Sequence, residues 1–181
     1  MRKTFSILFV VGTLLVIGCK ENEARRPVSR SGGTFIKESV QRNKKLVGNE
    51  EKIIDSIIKS TPEIKYYSST KGFWYFYETR NEKDTLTPKK GDVAYFDYEI
   101  NDLYNNVIYT ELELRPQTYF VDEQDIMMGL RYGIKLMRKN EKVTFLFPSH
   151  IAYGYLGDKN RIGPNVPLRC TVLLKDFKKN E

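Results

Sequence analysis

The sequence predicts an α+β domain: an antiparallel half-barrel sheet wrapped around one helix, preceded by a short N-terminal amphipathic helix. Three observations predict it. From Gly72 onward, apolar and polar residues alternate in several short runs, the period of strands with one buried face. Among those runs lies one stretch of helical period, Glu123 to Met137, with Leu130, Ile134 and Met137 at i, i+4 and i+7. Ahead of them, residues 49–61 place Ile53, Ile54, Ile57 and Ile58 on one stripe. About five strands around one helix make a two-layer α+β arrangement.

The first residues stand outside that domain. Met1-Arg2-Lys3 is a short positive start, and residues 4–18 carry no charge. A helix of that length spans roughly 22 Å, short of a ~30 Å hydrocarbon core, so residues 1–18 read as a secretory signal peptide. An uncleaved short anchor is the alternative. Val16-Ile17-Gly18-Cys19 resembles a bacterial lipobox, in which the Cys19 thiol takes a thioether-linked lipid. The expected location is therefore the cell envelope, on the periplasmic face of the inner or outer membrane, with the membrane held as a partner through Cys19.

Residues 19–48 are predicted to be a polar tether containing Pro27 and Gly32-Gly33. Residues 49–71 form the N-terminal helical segment: Asn49 can cap the helix, Glu50 and Glu51 suit its positive end, and Pro62 stops it. Its isoleucine stripe has three open readings: packing on the chain's own domain, a dimer contact, or a surface that holds clients. Residues 72–181 are the main domain. Strands are predicted over 72–79, 92–101, an extended run at 107–114, 142–147 and 168–174. Gly129 and Gly133 each cost roughly 1 kcal/mol inside a helix, so they predict close backbone approach.

Charge and cysteine usage exclude several classes. The net charge of +7 comes mostly from residues 2–3 and from a +5 balance over residues 20–45, whereas residues 46–181 hold 20 basic and 20 acidic residues. That distribution argues against nucleic acid as a partner. The basic stretch is either attracted to anionic lipid or is a solvated linker. With Cys19 lipidated, Cys170 stands alone, so the mature chain has no intramolecular disulfide. Two separated Cys and the single His150 do not make a metal site. No metal or cofactor is expected.

A series of short motifs then sets the family. Pro88-Lys89-Lys90-Gly91-Asp92-Val93 leads into the strand ending near Tyr98, followed by Ile126-Met127-Met128-Gly129-Leu130-Arg131-Tyr132-Gly133. Next come Met137-Arg138-Lys139-Asn140-Glu141-Lys142, Pro148-Ser149-His150-Ile151-Ala152-Tyr153-Gly154, Ile162-Gly163-Pro164-Asn165, and a last strand to Phe177. In this order, over about residues 86–178, they resemble the FKBP-type peptidyl-prolyl cis-trans isomerases. The flanking signal, tether and helix resemble gliding-motility-associated lipoproteins of the GldI type.

The resemblance implies an isomerase of Xaa-Pro bonds. It implies catalytic roles for Tyr98, Met127 (through its backbone N–H) and Tyr153 (through its hydroxyl). It implies a substrate pocket of Ile108, Tyr109, Tyr119, Ile126, Leu130, Ile162 and Cys170. Several of these depart from the family pattern. Asn140 replaces the turn glycine, Ile108 an aromatic, Tyr109 an aspartate, Leu130 the tryptophan of the pocket floor, and Cys170 a phenylalanine. Tyr119 is the nearest aromatic to a further wall phenylalanine. Expected partners are Xaa-Pro-containing exported proteins and components of an envelope complex. The departures keep a second reading open, a non-catalytic chaperone or binding module on the same fold.

Overall fold

The computed structural model describes residues 33–180, so the expected signal peptide, the expected lipidation site Cys19 and residues 19–32 of the expected tether lie outside the described residues. Residues 38–181 form one compact unit. Helix α1 runs over Gly33–Ser60, starting well before the expected Asn49. Residues 33–48 were expected to be tether. They are rich in Lys, Arg, Gln and Glu, which lose little side-chain freedom in a helix, and they contain no proline. Gly48 costs only about 1 kcal/mol there. The helix stops where Pro62 cannot continue it, and Thr61 Oγ1 donates to Ile57 O at 2.9 Å.

The seven strands are β1 (Tyr67–Ser68), β2 (Trp74–Thr79), β3 (Val93–Asp102), β4 (Val107–Tyr109), β5 (Gln117–Phe120), β6 (Glu141–Phe147) and β7 (Leu168–Lys178). They form one antiparallel sheet in the order β1-β2-β6-β7-β3-β4, with β5 also pairing β3. β3 is the spine. One edge pairs with β7 from Val93↔Lys178 to Asp102↔Leu168, while the other pairs first with β5 and then with β4.

The extended run expected at 107–114 ends early. Thr110 caps a one-turn helix α2 (Glu111–Leu114), its Oγ1 accepting from Glu113 N–H while the Glu113 carboxylate accepts from Thr110 N–H. The sequence Thr-x-x-Glu supplies this reciprocal cap, which outweighs the strand pattern.

Helix α3 is also shorter than expected, spanning Met128–Ile134 rather than Glu123–Met137. Residues 121–127 are turn and irregular backbone, with Asp122 at φ 59°. After Ile134, the Leu136 and Met137 amides bond three residues back, a tightened last turn.

Phe145 and Phe147 stack on the inner face of β6 with ring centroids 5.4 Å apart. α3 lies on them so closely that a Cβ at Gly129 would sit 2.8 Å from the Phe147 ring, and one at Gly133 2.9 Å from the Phe145 ring. The two glycines are thus the condition for the helix to reach the sheet. Around this contact, Ala94, Phe96 and Ile100 of β3 and Leu168, Val172 and Leu174 of β7 close the core. The alternation read from the sequence is the alternation of this face.

The outer face carries a smaller core. Ile54 of α1 is fully buried with Leu146 of β6 and Leu103, flanked by Ile57, Ile58, Tyr66 and Trp74. The isoleucine stripe therefore packs on its own domain, except that Ile53 stays 39% exposed.

Candidate functional site

The sheet curls around the N-terminal end of α3 and leaves a cleft of about 350 Å³, lined by Phe96, Tyr98, Gln117, Asp125, Ile126, Met127, Leu130 and Tyr153. Each wall has a local cause. Phe96 and Tyr98 stand on the inner face of β3, their rings 5.6 Å apart. A register shift between Tyr95 and Phe96 against β7 marks an irregularity in the strand just before these two rings. Leu130, 3% exposed in the first turn of α3, forms part of the apolar lining.

Met127 immediately precedes α3, with φ −46° and ψ 127°, and its carbonyl accepts from Arg131 N–H at 3.1 Å. An amide at this position has no intrahelical partner. None of the backbone hydrogen bonds of the described residues outside helices and strands uses it. It is a free donor at the cleft.

Tyr153 enters from the opposite side, on the turn between the 3₁₀ segments Ser149–Ile151 and Gly154–Leu156. Burial pushes its phenol well above the ordinary value, with smaller contributions from Tyr98 and Cys170. Tyr98 is raised in the same way, by burial first and Cys170 second. Both side chains therefore remain neutral phenols that can donate a hydrogen bond. The cleft thus combines an apolar lining with three donors: the Met127 amide and the two phenols. Among the described residues, no group of three His, Cys, Asp or Glu could hold a metal ion.

Of the residues implied by sequence resemblance, the structure brings Tyr98, Ile126, Met127, Leu130 and Tyr153 together. The other five are not among the residues lining the cleft, though Cys170 and Tyr109 lie near enough to contribute to the raised Tyr153 phenol. Tyr119 is 1% exposed in the core, opposite Ala94, and its hydroxyl accepts from Asp122 N–H at 2.9 Å. Cys170 is fully buried beside Ile100, and that burial pushes its thiol up. Ile162 is buried and closes its own loop, donating to Asp158 Oδ1 and accepting from Asp158 N–H. Ile108 packs half-buried against the core.

Tyr109 holds a loop. Its hydroxyl donates to Asp158 Oδ2 at 2.5 Å and accepts from Asn160 Nδ2 at 2.9 Å. Arg161 stacks over the ring at 4.8 Å, donates to Ile108 O at 2.8 Å, and pairs with Glu113 at 2.7 Å. The loop following Tyr153 is thereby fastened to β4 and α2. Where the family pattern has a carboxylate on the strand, this chain carries a phenol there and the carboxylate on the loop.

Gln117 was missed by the sequence reading. It pairs with Phe96 in register and so faces inward beside the cleft. The nearest signal was the alternation Gln117, Tyr119, which a search for an aromatic passes over.

A curled antiparallel sheet around a short helix, with a cleft at the helix start, defines a half-barrel domain. The family model for FKBP-type peptidyl-prolyl cis-trans isomerases matches residues 84–175, just over half of the 181 residues, and the chain belongs to that family. A probable FKBP-type peptidyl-prolyl cis-trans isomerase FkpA of Neisseria meningitidis serogroup B is 24% identical over 98 residues. That match covers 54% of this chain but only 36% of the relative, so the chain spans about a third of the curated relative's length. Two solved structures share the fold. A peptidyl-prolyl cis-trans isomerase from Pseudomonas syringae pv. tomato has a TM-score of 0.60 at 18% identity, covering 75% of this chain and 96% of that one. FkpA from Escherichia coli has a TM-score of 0.60 at 20% identity, covering 97% and 82%.

Proposed function

We propose that the protein catalyses cis-trans isomerisation of Xaa-Pro bonds in exported proteins. The observation that carries the reading is the convergence of Tyr98, the Met127 N–H, Leu130 and Tyr153 on one apolar cleft. Rotation about the imide faces a barrier of ~18–20 kcal/mol because resonance gives the C–N bond double-bond character. Uncatalysed exchange takes tens to hundreds of seconds. No bond breaks, so the reaction calls for neither nucleophile nor cofactor.

Twisting the imide removes resonance and reduces the charge separation between its oxygen and nitrogen. An apolar cleft therefore favours the twisted form over the planar one, relative to water, and this difference in binding is catalysis. The Met127 amide and the Tyr153 hydroxyl hold carbonyl oxygens of the peptide and orient it.

The same proposal places the protein at the cell envelope, anchored through a lipid on Cys19, with exported clients and envelope-complex partners, and in support of gliding motility. What supports it is the order of signal-like, lipobox-like and polar tether-like sequence in residues 1–32. Among the described residues no helix is long and apolar enough to cross a membrane. The alternative is a non-catalytic chaperone or binding module. It draws on Tyr109, Leu130 and Cys170, where the sequence departs from the family pattern.

The test is cis-trans exchange of an Xaa-Pro tetrapeptide by the purified chain, with Tyr98→Ala and Tyr153→Phe beside it. Acceleration that falls in both variants supports the isomerase. Folded protein that prevents client aggregation but does not accelerate exchange supports the chaperone. Loss of detergent-phase partitioning in Cys19→Ala tests the anchor.

A further inference from the structure

We infer that the side-chain oxygen of Gln117 is a specificity determinant, accepting a hydrogen bond from a backbone N–H of the bound peptide beside its proline. The inference rests on the isomerase reading above. Gln117 lies in the cleft wall on β5, in register with Phe96. Its amide nitrogen donates to Leu114 O at 2.6 Å and to Arg115 O at 3.2 Å. These two bonds use both amide hydrogens. They also settle which end of the amide is which, because the reverse orientation would press an oxygen against two carbonyl oxygens.

Gln117 Oε1 is left without a protein partner among the described residues. It is also not sealed in the interior, where the buried side-chain atoms lacking a partner are Asp97 Oδ1 and Asn101 Oδ1. On a residue of the cleft wall, it is thus a reachable acceptor without a partner, on a side chain held by two anchors on the turn behind it. The other polar groups that meet a peptide there, the Met127 N–H and the two phenols, serve as donors to carbonyl oxygens. Asp125, the second acceptor near the cleft, has a side chain 98% exposed and paired with Arg131.

A peptide flanking an Xaa-Pro bond offers N–H groups on Xaa and on the residue after proline. The proline nitrogen offers none. A fixed acceptor in a half-buried wall discriminates against a ligand that cannot satisfy it, because the unpaired oxygen has lost its water. An apolar side chain at the same position would be indifferent.

The test uses the whole chain purified in detergent and three peptides. One is all-amide, one has an ester oxygen in place of the N–H after proline, and one is N-methylated on Xaa. Exchange rates are measured with wild type and Gln117→Met. The expected result is that wild type penalises one replacement about five- to tenfold in kcat/KM, the value of one net hydrogen bond, and that Gln117→Met abolishes that penalty. Ratios between peptides on a single preparation do not depend on the folded fraction, so loss of stability in the variant cannot imitate the result. Equal penalties in wild type and variant, for both replacements, would overturn the inference. Should wild type accelerate none of the peptides, the isomerase reading fails. The same three ratios, measured as Kd by NMR titration, then decide the role of Gln117 alone.

Discussion

The Glu50 carboxylate on α1 accepts from both the backbone N–H (2.8 Å) and the hydroxyl (2.7 Å) of Ser149, ninety-nine positions along the chain. Ser149 opens the 3₁₀ turn that leads to Tyr153. The N-terminal helix is thus tied to the segment that carries a cleft residue. Glu50 is 4% and Ser149 1% exposed, so Glu50→Ala leaves two buried donors unpaired. It should destabilise the domain by about 2–4 kcal/mol in urea denaturation. Glu50→Gln keeps one acceptor and should cost about half as much. A change below about 0.5 kcal/mol, the level of an ordinary surface substitution, would detach α1 from the turn.

Restoring the family's aspartate at Tyr109 should harm the protein rather than help it. Tyr109→Asp places a second carboxylate next to Asp158 and removes the ring beneath Arg161. The expected result is a lower urea midpoint, with a higher KM as the loop after Tyr153 loosens. Adding Asp158→Asn should recover part of both by removing the repulsion. Urea denaturation and exchange kinetics on the single and double variants check this.

Gly129→Ala and Gly133→Ala should each destabilise, although alanine is the better helix former. The added methyl meets the Phe147 or Phe145 ring inside 3 Å. Overpacking costs about 1–3 kcal/mol, against at most about 1 kcal/mol gained in helix propensity. A thermal melt that rises in either variant would mean that α3 can lift off the stacked rings freely.

Catalysis should be flat with pH from about pH 6 to about pH 9, because Tyr98 and Tyr153 are both raised above the ordinary tyrosine value of ~10 and stay protonated throughout. A decline in exchange rate below about pH 9 would mean that one phenol titrates within the working range.

The clamp on the loop should be acid-sensitive. Hydrogen bonding from Arg161, then from Thr110, holds the Glu113 carboxyl down at about 2, from an ordinary 4.5. A lowered folded value means that its stabilisation is complete above the unfolded value and is lost as pH falls from about 4.5 toward about 2. The protection factors of the amides of residues 158–162, taken relative to intrinsic exchange at each pH, should fall through that window in wild type. In Glu113→Gln that step should be smaller, leaving the part that comes from Asp158, whose carboxyl, against the opposing effect of burial, is also held below its ordinary value by Tyr109 and the loop amides.

Much of the fold was legible because it is written in short-range periods. Ala94, Phe96, Tyr98 and Ile100 alternate inward in β3, and the same holds for Leu168, Cys170, Val172 and Leu174 in β7. The left-handed turn at Asn140 (φ 62°) was equally legible, since Asn tolerates that conformation. The length of α1 was less so. Its first turns carry no continuous apolar stripe, and helicity there comes from residue preferences too weak to mark a boundary.

By itself the sequence determined the family, the α+β class, the sheet faces and the two glycines that let α3 approach, since each follows from neighbours within a few residues. Only the tertiary structure decided that Gln117 rather than Tyr119 lines the cleft, that Tyr109 meets Asp158, and that Glu50 meets Ser149. The physical reason is that these contacts depend on the register of β5 against β3 and on how distant segments fold back. A hydrogen bond between residues fifty or a hundred positions apart leaves no periodic trace in either segment.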